Sequence, residues 1–485
     1  MSLIHSWGRP RAALDCRETG EAGPHFESGL RIFLVLSRFP AVAVLVSMFT
    51  AQTLAAVQGA RPAESSSSGP VAIVGGRVFP VSGPAVDGGT VVIRDGKIEA
   101  IGKAISIPAD AKRIDATGLW VLPGMIDSRT HLGVWEVDLS DVTRDEDERS
   151  DPVTPQMRVI DAFFDESENI PVTRQVGITS ALVTPGDENL LNGQSALVDL
   201  AGEGLDQVLV RFPVAMHFSL GEPPKARYGA RTQLPSTRMG NAALIRSSLL
   251  QARDYLIKWD TYEQKRLACD TTKPVKGKAR KDDKCPPEPP ARDLKMEALA
   301  SVLKGEMPAV FRAQRMDDVL TAVRLAEEFK LKLILSHATE AYKVADLLAS
   351  KKVPVLVGPI TTQPEAIETL GAIYENAALL QTAGVKIAIQ TDRTNDARTL
   401  PWEAGLAVTY GLPWDAALRA VTLSPAEIFG VADRLGSLDP GKRADLIVTT
   451  GDPFQPLTQV KHLFIRGVER SLRTRQDDLA EKYRQ

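Results

Sequence analysis

The chain has 485 residues, 44% of them hydrophobic, and its 58 basic and 61 acidic side chains leave a net charge of −3. That length is too great for one small domain and holds one large α/β domain plus a smaller one. The near balance of charge excludes the basic surface a nucleic-acid partner would require and the acidic excess of a disordered chain.

The first seventy residues stand apart. Arg31 and Arg38 precede an apolar run over 41–46, a small-residue segment over 53–56 and a polar tract over 63–69. That order reads as a signal peptide region within residues 1–60, cut near 55–60 and followed by a linker over 61–70. A membrane anchor is the competing reading, but a span needs about 20 apolar residues and this run is shorter. Cleavage leaves no stable span and places the mature chain in the periplasm or outside the cell. Residues 1–30 look like neither signal nor domain and fit an extension from an upstream start codon.

Export exposes cysteines to an oxidising compartment. Cys16 leaves with the leader, and Cys269 and Cys285 flank the lysine-rich stretch 273–284 inside a surface loop expected over 262–292. A disulfide closing that loop is favoured over two free thiols. No Cys-x-x-Cys or neighbouring His supports a metal role for them.

From Val71 the pattern is β: residues 71–79 and 89–102 alternate apolar and polar side chains, the second run turning at the hairpin dipeptide Asp95-Gly96. Short strands reappear over 435–448 and 460–468, so 71–120 and 435–470 are expected to build one β-sandwich from both ends of the mature chain, with a charged tail over 471–485. Between them, over 121–434, short apolar runs alternate with helical patterns. The strand candidates are 121–126, 179–183, 195–200, 214–218, 309–313, 331–335, 353–357 and 385–390, and residues 317–329 form a clear amphipathic helix with acids in its first turn. Eight strands alternating with helices indicate a (β/α)₈ TIM-like barrel, whose chemistry belongs at the C-terminal ends of the strands. A doubly wound open sheet is the other architecture, but no Gly-x-Gly-x-x-Gly opens its first helix.

Four motifs in order carry a family resemblance: the hairpin Asp95-Gly96-Lys97-Ile98, then Leu122-Pro123-Gly124-Met125-Ile126-Asp127, then Asp392 after an apolar strand, then Gly441-Lys442-Arg443-Ala444-Asp445-Leu446. Over residues 71–470 the chain resembles the amidohydrolase superfamily, in its imidazolonepropionase-like branch. The resemblance implies a metal-dependent barrel hydrolase that attacks carbon–nitrogen bonds in amides, cyclic amides or dipeptide-like small molecules with metal-activated water.

It also implies a ligand set: a His-x-His on the first strand, a middle-strand lysine, one His on each of two later strands, and a final Asp. His131, His337 and Asp392 match and are the expected metal ligands, with Asp392 also the catalytic proton acceptor. Arg129 stands where the first His is expected, Arg312 and Gln314 on the strand where another is expected, and Asp199 where related sequences often carry Lys. Two imidazoles and a carboxylate make a common catalytic zinc set, so one zinc is the first choice of divalent metal, with manganese or iron the alternatives and no metal the remaining one. An Arg129–Asp199 ion pair replacing the metal bridge is one consequence of the substitutions. A substrate-binding role for Arg129, Asp199, Arg312 and Gln314 is another, with structural salt bridges for the arginines weighed evenly against it.

Other residues take a blander reading. His217 fits a hydrogen-bonded core residue better than a ligand, His462 a surface role, and the acid-rich segment 136–151 a solvated loop. Ser336 lacks a Gly-x-Ser-x-Gly elbow and is no nucleophile. Two functions remain open: a metal-dependent hydrolase of non-peptide carbon–nitrogen bonds, and a metal-deficient family member acting as a binding subunit, as a homo-oligomer or beside an active relative.

Overall fold

The computed structural model describes residues 69–136, 140–271, 285–362, 364 and 366–484. The signal peptide and nearly all of the linker expected before residue 70 lie outside the described residues, as does the lysine-rich 273–284.

In chain order the strands are β1 (Val71–Val78), β2 (Val86–Arg94), β3 (Lys97–Gly102), β4 (Lys112–Asp115) and β5 (Trp120–Pro123). The middle of the chain supplies β6 (Met125–Thr130), β7 (Ile178–Val183), β8 (Leu191–Gln194), β9 (Ala196–Asp199) and β10 (Leu209–Arg211). It continues with β11 (Met216–Ser219), β12 (Ala309–Ala313), β13 (Leu333–His337), β14 (Val355–Val357) and β15 (Ile387–Ile389). The C-terminal part adds β16 (Leu446–Thr449), β17 (Val460–Ile465) and β18 (Val468–Glu469).

Both ends of the chain share one eight-stranded sheet, in the order β18-β17-β16-β5-β1-β2-β3 with β4 on β1. The β2–β3 hairpin turns at Asp95-Gly96, both at positive φ, as a tight turn of that dipeptide requires. Alternate residues of these strands, Val71, Ile73, Val91, Ile93, Val121, Leu446 and Val448 among them, bury into one core. Each such side chain contributes about 1.5–3 kcal/mol by leaving water. The join is specific: β16 lies antiparallel to β5, Leu446 opposite Pro123.

Gly124 is where the chain leaves that sheet. A Cβ there would lie 2.2 Å from the Thr179 side chain, so only glycine lets β5 break and β6 pack directly on β7. The middle strands form two further sheets, β10-β9-β7-β6 and β15-β14-β13-β12-β11-β8. Neighbours from β11 to β15 are parallel, giving a mixed α/β architecture. The sheets meet at both edges. Ser128 Oγ donates to the Ile389 carbonyl (2.5 Å) and the Asp392 N–H to the Arg129 carbonyl (2.9 Å), while the Val214 N–H reaches the Ser195 carbonyl (2.9 Å). Ile126, Leu182, Leu197, Val310, Ile334, Leu356 and Ala388, one from each of seven strands, bury together in one cluster.

Seven of the eight predicted runs appear as strands, the run predicted over 121–126 is divided at Gly124 between β5 and β6 in different sheets, and β8 and β10 are additional. The helix predicted over 317–329 is Met316–Phe329, with Asp317 and Asp318 in its first turn and Val319, Ala322, Val323, Ala326 and Phe329 buried. Two boundaries change. Residues 262–271 end a 34-residue helix, Arg238–Thr271, instead of opening a loop, and the tail carries a helix, Arg475–Lys482, whose N-cap Thr474 pairs with Asp477. Cys269 and Cys285 are joined in a disulfide. Among the described residues no helix is long and apolar enough to cross a membrane.

Candidate active site

Three strand ends converge. β6 delivers Arg129, β13 ends in His337, and Asp392 follows β15. His337, Ala338 and Asp392 adopt left-handed backbone angles (φ 66°, 49° and 73°). Such angles cost a non-glycine residue roughly 1–3 kcal/mol each, and the surrounding structure must hold them.

The orientation of His337 follows from its neighbours. Gln390 donates from Nε2 to the Gly358 carbonyl (3.0 Å), which leaves Oε1 to accept from Ser336 Oγ (3.0 Å). The single hydroxyl proton is thereby used, so Ser336 accepts from His337 Nδ1 (3.0 Å). Nε2 then faces Asp392 Oδ2 at 3.2 Å. Asp187, in the turn after β7, brings the third group: Asp187, His337 and Asp392 each offer one ligand atom, all within 4.8 Å of one another.

Arg129, 1% exposed, binds both carboxylates, with Nε on Asp392 Oδ1 (2.6 Å) and Nη2 on Asp187 Oδ2 (2.9 Å). Its Nη1 approaches His217 Nδ1 at 3.4 Å. A guanidinium only donates, so this histidine carries its proton on Nε2, which is buried without a hydrogen-bond partner. Burial and the Arg129 cation hold the His217 imidazole well below its ordinary pKa. It is a neutral core residue, as expected from the sequence.

Beyond Asp187 the charges continue to alternate. Arg312 Nε lies 3.3 Å from Asp187 Oδ2 and its Nη1 2.7 Å from Glu368; Arg238 links Glu368 (3.7 Å) to Asp318 (3.0 Å). Four carboxylates thus alternate with three guanidiniums from Asp392 to Asp318. Burial raises the Asp392 and Asp187 carboxyls, but the neighbouring charges outweigh it. His337 and Arg129 hold Asp392 well below the usual range, and Arg129 and Arg312 hold Asp187 below it.

The expected site residues sort accordingly. His337 and Asp392 come together. His131 donates from Nδ1 to the Thr184 carbonyl (2.9 Å) and is outside the three-donor group; burial is the main cause that lowers its pKa. The arginines are not free for a substrate carboxylate, since Arg129 and Arg312 are engaged by Asp187, Asp392 and Glu368. The Arg129–Asp199 pair does not form. Asp199 is bound instead by Arg443 (2.8 Å) and Arg466 (2.7 Å) against the terminal sheet, because β9 is antiparallel to β7 and its last residue points away from the strand ends that hold the site. Gln314 accepts from the Thr339 hydroxyl and supports the wall. The segment 136–151 is not wholly solvated: Glu146 is buried, and the Glu188 N–H donates to Asp147 Oδ1 (3.0 Å). Burial, with Asp187 and Glu188 nearby, pushes the Asp147 carboxyl up to about 7. His462 pairs with Glu469 near the surface (2.6 Å). The residue the sequence reading missed is Asp187. Its only signal was an acid four positions after a predicted strand, behind Pro185-Gly186.

The donors fit one divalent ion. Two ligands about 2.0–2.1 Å from a tetrahedral zinc stand about 3.3 Å apart, and His337 Nε2 and Asp392 Oδ2 stand at 3.2 Å. Asp392 Oδ1 is held by Arg129, while Asp187 has Oδ2 held by Arg129 and Arg312 and Oδ1 by the Ser219 hydroxyl (3.0 Å).

Residues 316–470 match the model of the amidohydrolase family. An amidohydrolase from Thermotoga maritima MSB8, of known structure, is 34% identical to the chain, which covers all of that protein with 83% of its own length at a TM-score of 0.74. The chain belongs to the amidohydrolase superfamily. Imidazolonepropionase from Bradyrhizobium sp. is 25% identical over 401 residues, 75% of this chain and 87% of that one, which bears out the branch expected from the four motifs. Amidohydrolase tasK from Hapsidospora irregularis is 27% identical over 384 residues, and this chain spans only 38% of that amidohydrolase's length.

Proposed function

We propose that this amidohydrolase is an exported, metal-dependent hydrolase of non-peptide carbon–nitrogen bonds in amide, cyclic amide or dipeptide-like small molecules, using one divalent ion held by Asp187, His337 and Asp392. The observation that carries the reading is that three donors of the right chemistry, from the ends of β7, β13 and β15, lie within 4.8 Å of one another. Bound there, zinc supplies a Lewis acid and lowers the pKa of water to about 7.

The chain's own groups do the rest. His337 is fixed by Ser336 so that Nε2 and not Nδ1 faces the site. Arg129 orients Asp187 and Asp392 together, and its charge keeps both ionised. Asp392 would accept the proton of the attacking water and return it to the leaving nitrogen, so one carboxylate serves as base and then acid. The structure around His337 and Asp392 holds their strained backbone, and with it those atoms, in place before substrate arrives.

Architecture and location belong to the same reading. Seven strands contributing one apolar side chain each to a common cluster, and sheets meeting at both edges, support a closed (β/α)₈ barrel over 121–434 with a β-sandwich domain from 71–120 and 435–470. The Cys269–Cys285 disulfide supports export, since such bonds persist in oxidising compartments. N-terminal sequencing of the mature protein should begin after residue 55. Purified protein should contain one metal per chain and hydrolyse members of an amide, lactam and dipeptide panel in a metal-dependent way; hydrolysis that survives complete chelation would overturn the reading.

A further inference from the structure

Beside His337 lies a cavity of about 240 Å³. Its lining includes His337, Thr339, Ile360, Thr362, Ala372, Ile373 and Tyr374. Among the described residues no Lys, Arg, Asp or Glu lines it.

Two of its polar wall groups are already engaged. Asn376 donates from Nδ2 to the Ala338 carbonyl (3.0 Å) and accepts the Tyr342 N–H at Oδ1 (3.1 Å). The Thr339 hydroxyl donates to Gln314. What the cavity presents to a ligand is therefore a mixture of apolar side chains and uncharged polar groups, with no charged side chain among the described lining residues.

The walls are also held in place. Tyr374 stacks on Tyr410 with ring centroids 4.6 Å apart. Glu403, buried in the helix Leu400–Thr409, accepts the N–H groups of Ile360 (2.5 Å) and Thr361 (3.1 Å) as well as the Thr361 hydroxyl. Both sides are pinned from behind, by groups that do not reach the cavity.

We propose that this cavity is the specificity pocket for an uncharged aliphatic or aromatic substituent beside the scissile carbon–nitrogen bond, with Glu403 as the positioning residue of its Ile360 wall. The inference rests on the proposed function and names the substrate class of that same site. Among the described lining residues a charged substituent would find no opposite charge to replace its water, a cost of several kcal/mol. The volume argues for a substituent and not a whole molecule, since pockets that enclose drug-sized ligands run to about 300–1,000 Å³.

The test is ligand-observed NMR binding to the metal-loaded full chain, with acetamide, phenylacetamide and succinamate as probes. Phenylacetamide should bind at least about tenfold more tightly than acetamide, by the usual discrimination of an apolar pocket, and succinamate no more tightly than acetamide. Ala372→Trp, with an unchanged melting temperature, should abolish the preference by filling the cavity; should that variant fail to fold, Tyr374→Ala must reduce it severalfold. Equal binding of the two neutral amides, or a preference that survives both variants, would overturn the pocket. Turnover separates the two readings. Selective binding with no amide hydrolysed would sink the proposed function and leave the pocket standing, whereas hydrolysis with equal kcat/KM for both neutral amides would sink the pocket alone. A Glu403→Gln variant should raise KM for phenylacetamide with kcat little changed; a fall in kcat alone would contradict a positioning role.

Discussion

Two buried clusters in this protein are built from the same residue types and behave differently. In one, Asp199 and Asp445 are closed off by Arg443 and Arg466, tying β9 to the terminal sheet. In the other, Arg129 and Arg312 hold Asp187 and Arg129 holds Asp392, yet Asp392 keeps Oδ2 turned toward His337 Nε2 (3.2 Å) and the backbone at both His337 and Asp392 is strained. A closed ion-pair cluster fixes the fold. An arginine-held cluster with donors left over can bind something, so residual donors and strain, more than charge content, separate a site from a clamp.

The comparison can be broken most sharply at Asp392. Asp392→Asn removes the proton acceptor and should lower kcat by about 10²–10⁴, measured on whichever amide the screen identifies, while Asp199→Ala should leave kcat within about twofold of the unchanged protein. Asp199→Ala belongs to stability instead. It leaves Arg443 with Asp445 alone and should cost about 3 kcal/mol by chemical denaturation, the low end for a broken buried pair because Arg443 keeps Asp445 and Arg466 partly reaches water. Metal content should not change in that variant.

A smaller effect is expected at Arg129. Lysine carries charge but not the fork that reaches two carboxylates at once, so Arg129→Lys should weaken metal retention about 10–100-fold in competition with a chelator. The smallest concerns Asp127, buried beneath the site and accepting from Thr391 and the Arg129 N–H. Burial pushes its carboxyl from 3.8 up to about 7. A folded-state pKa above the unfolded one gives a contribution present in full at low pH and lost as pH rises through about 7. The melting temperature of the unchanged protein should therefore fall relative to Asp127→Asn between about pH 5 and about pH 8; parallel profiles would show that Asp127 is ionised throughout.

These positions also mark what could be read from sequence. Strand runs, the helix at Met316–Phe329 and the Asp95-Gly96 turn were legible because local periodicity and turn chemistry determine them. His337 and Asp392 were legible because they match the later-strand His and final Asp that the family resemblance implies, at or just past an apolar strand. Asp187 was not, because it sits in an irregular turn whose approach to Arg129 is set by long-range packing. Asp199 misled for a related reason: β8 and β10 interrupt the alternation with antiparallel pairings, and an antiparallel strand carries its last residue to the opposite end of the molecule.

Metal content of chelator-free protein, measured by mass spectrometry alongside Asp187→Ala, His337→Ala and Asp199→Ala, tests the central claim most directly. The account predicts about one divalent ion per chain, lost in the first two variants and kept in the third. A folded protein that carries no metal and takes up no added zinc would contradict it, and would mean that Arg129 closes the first cluster as completely as Arg443 closes the second.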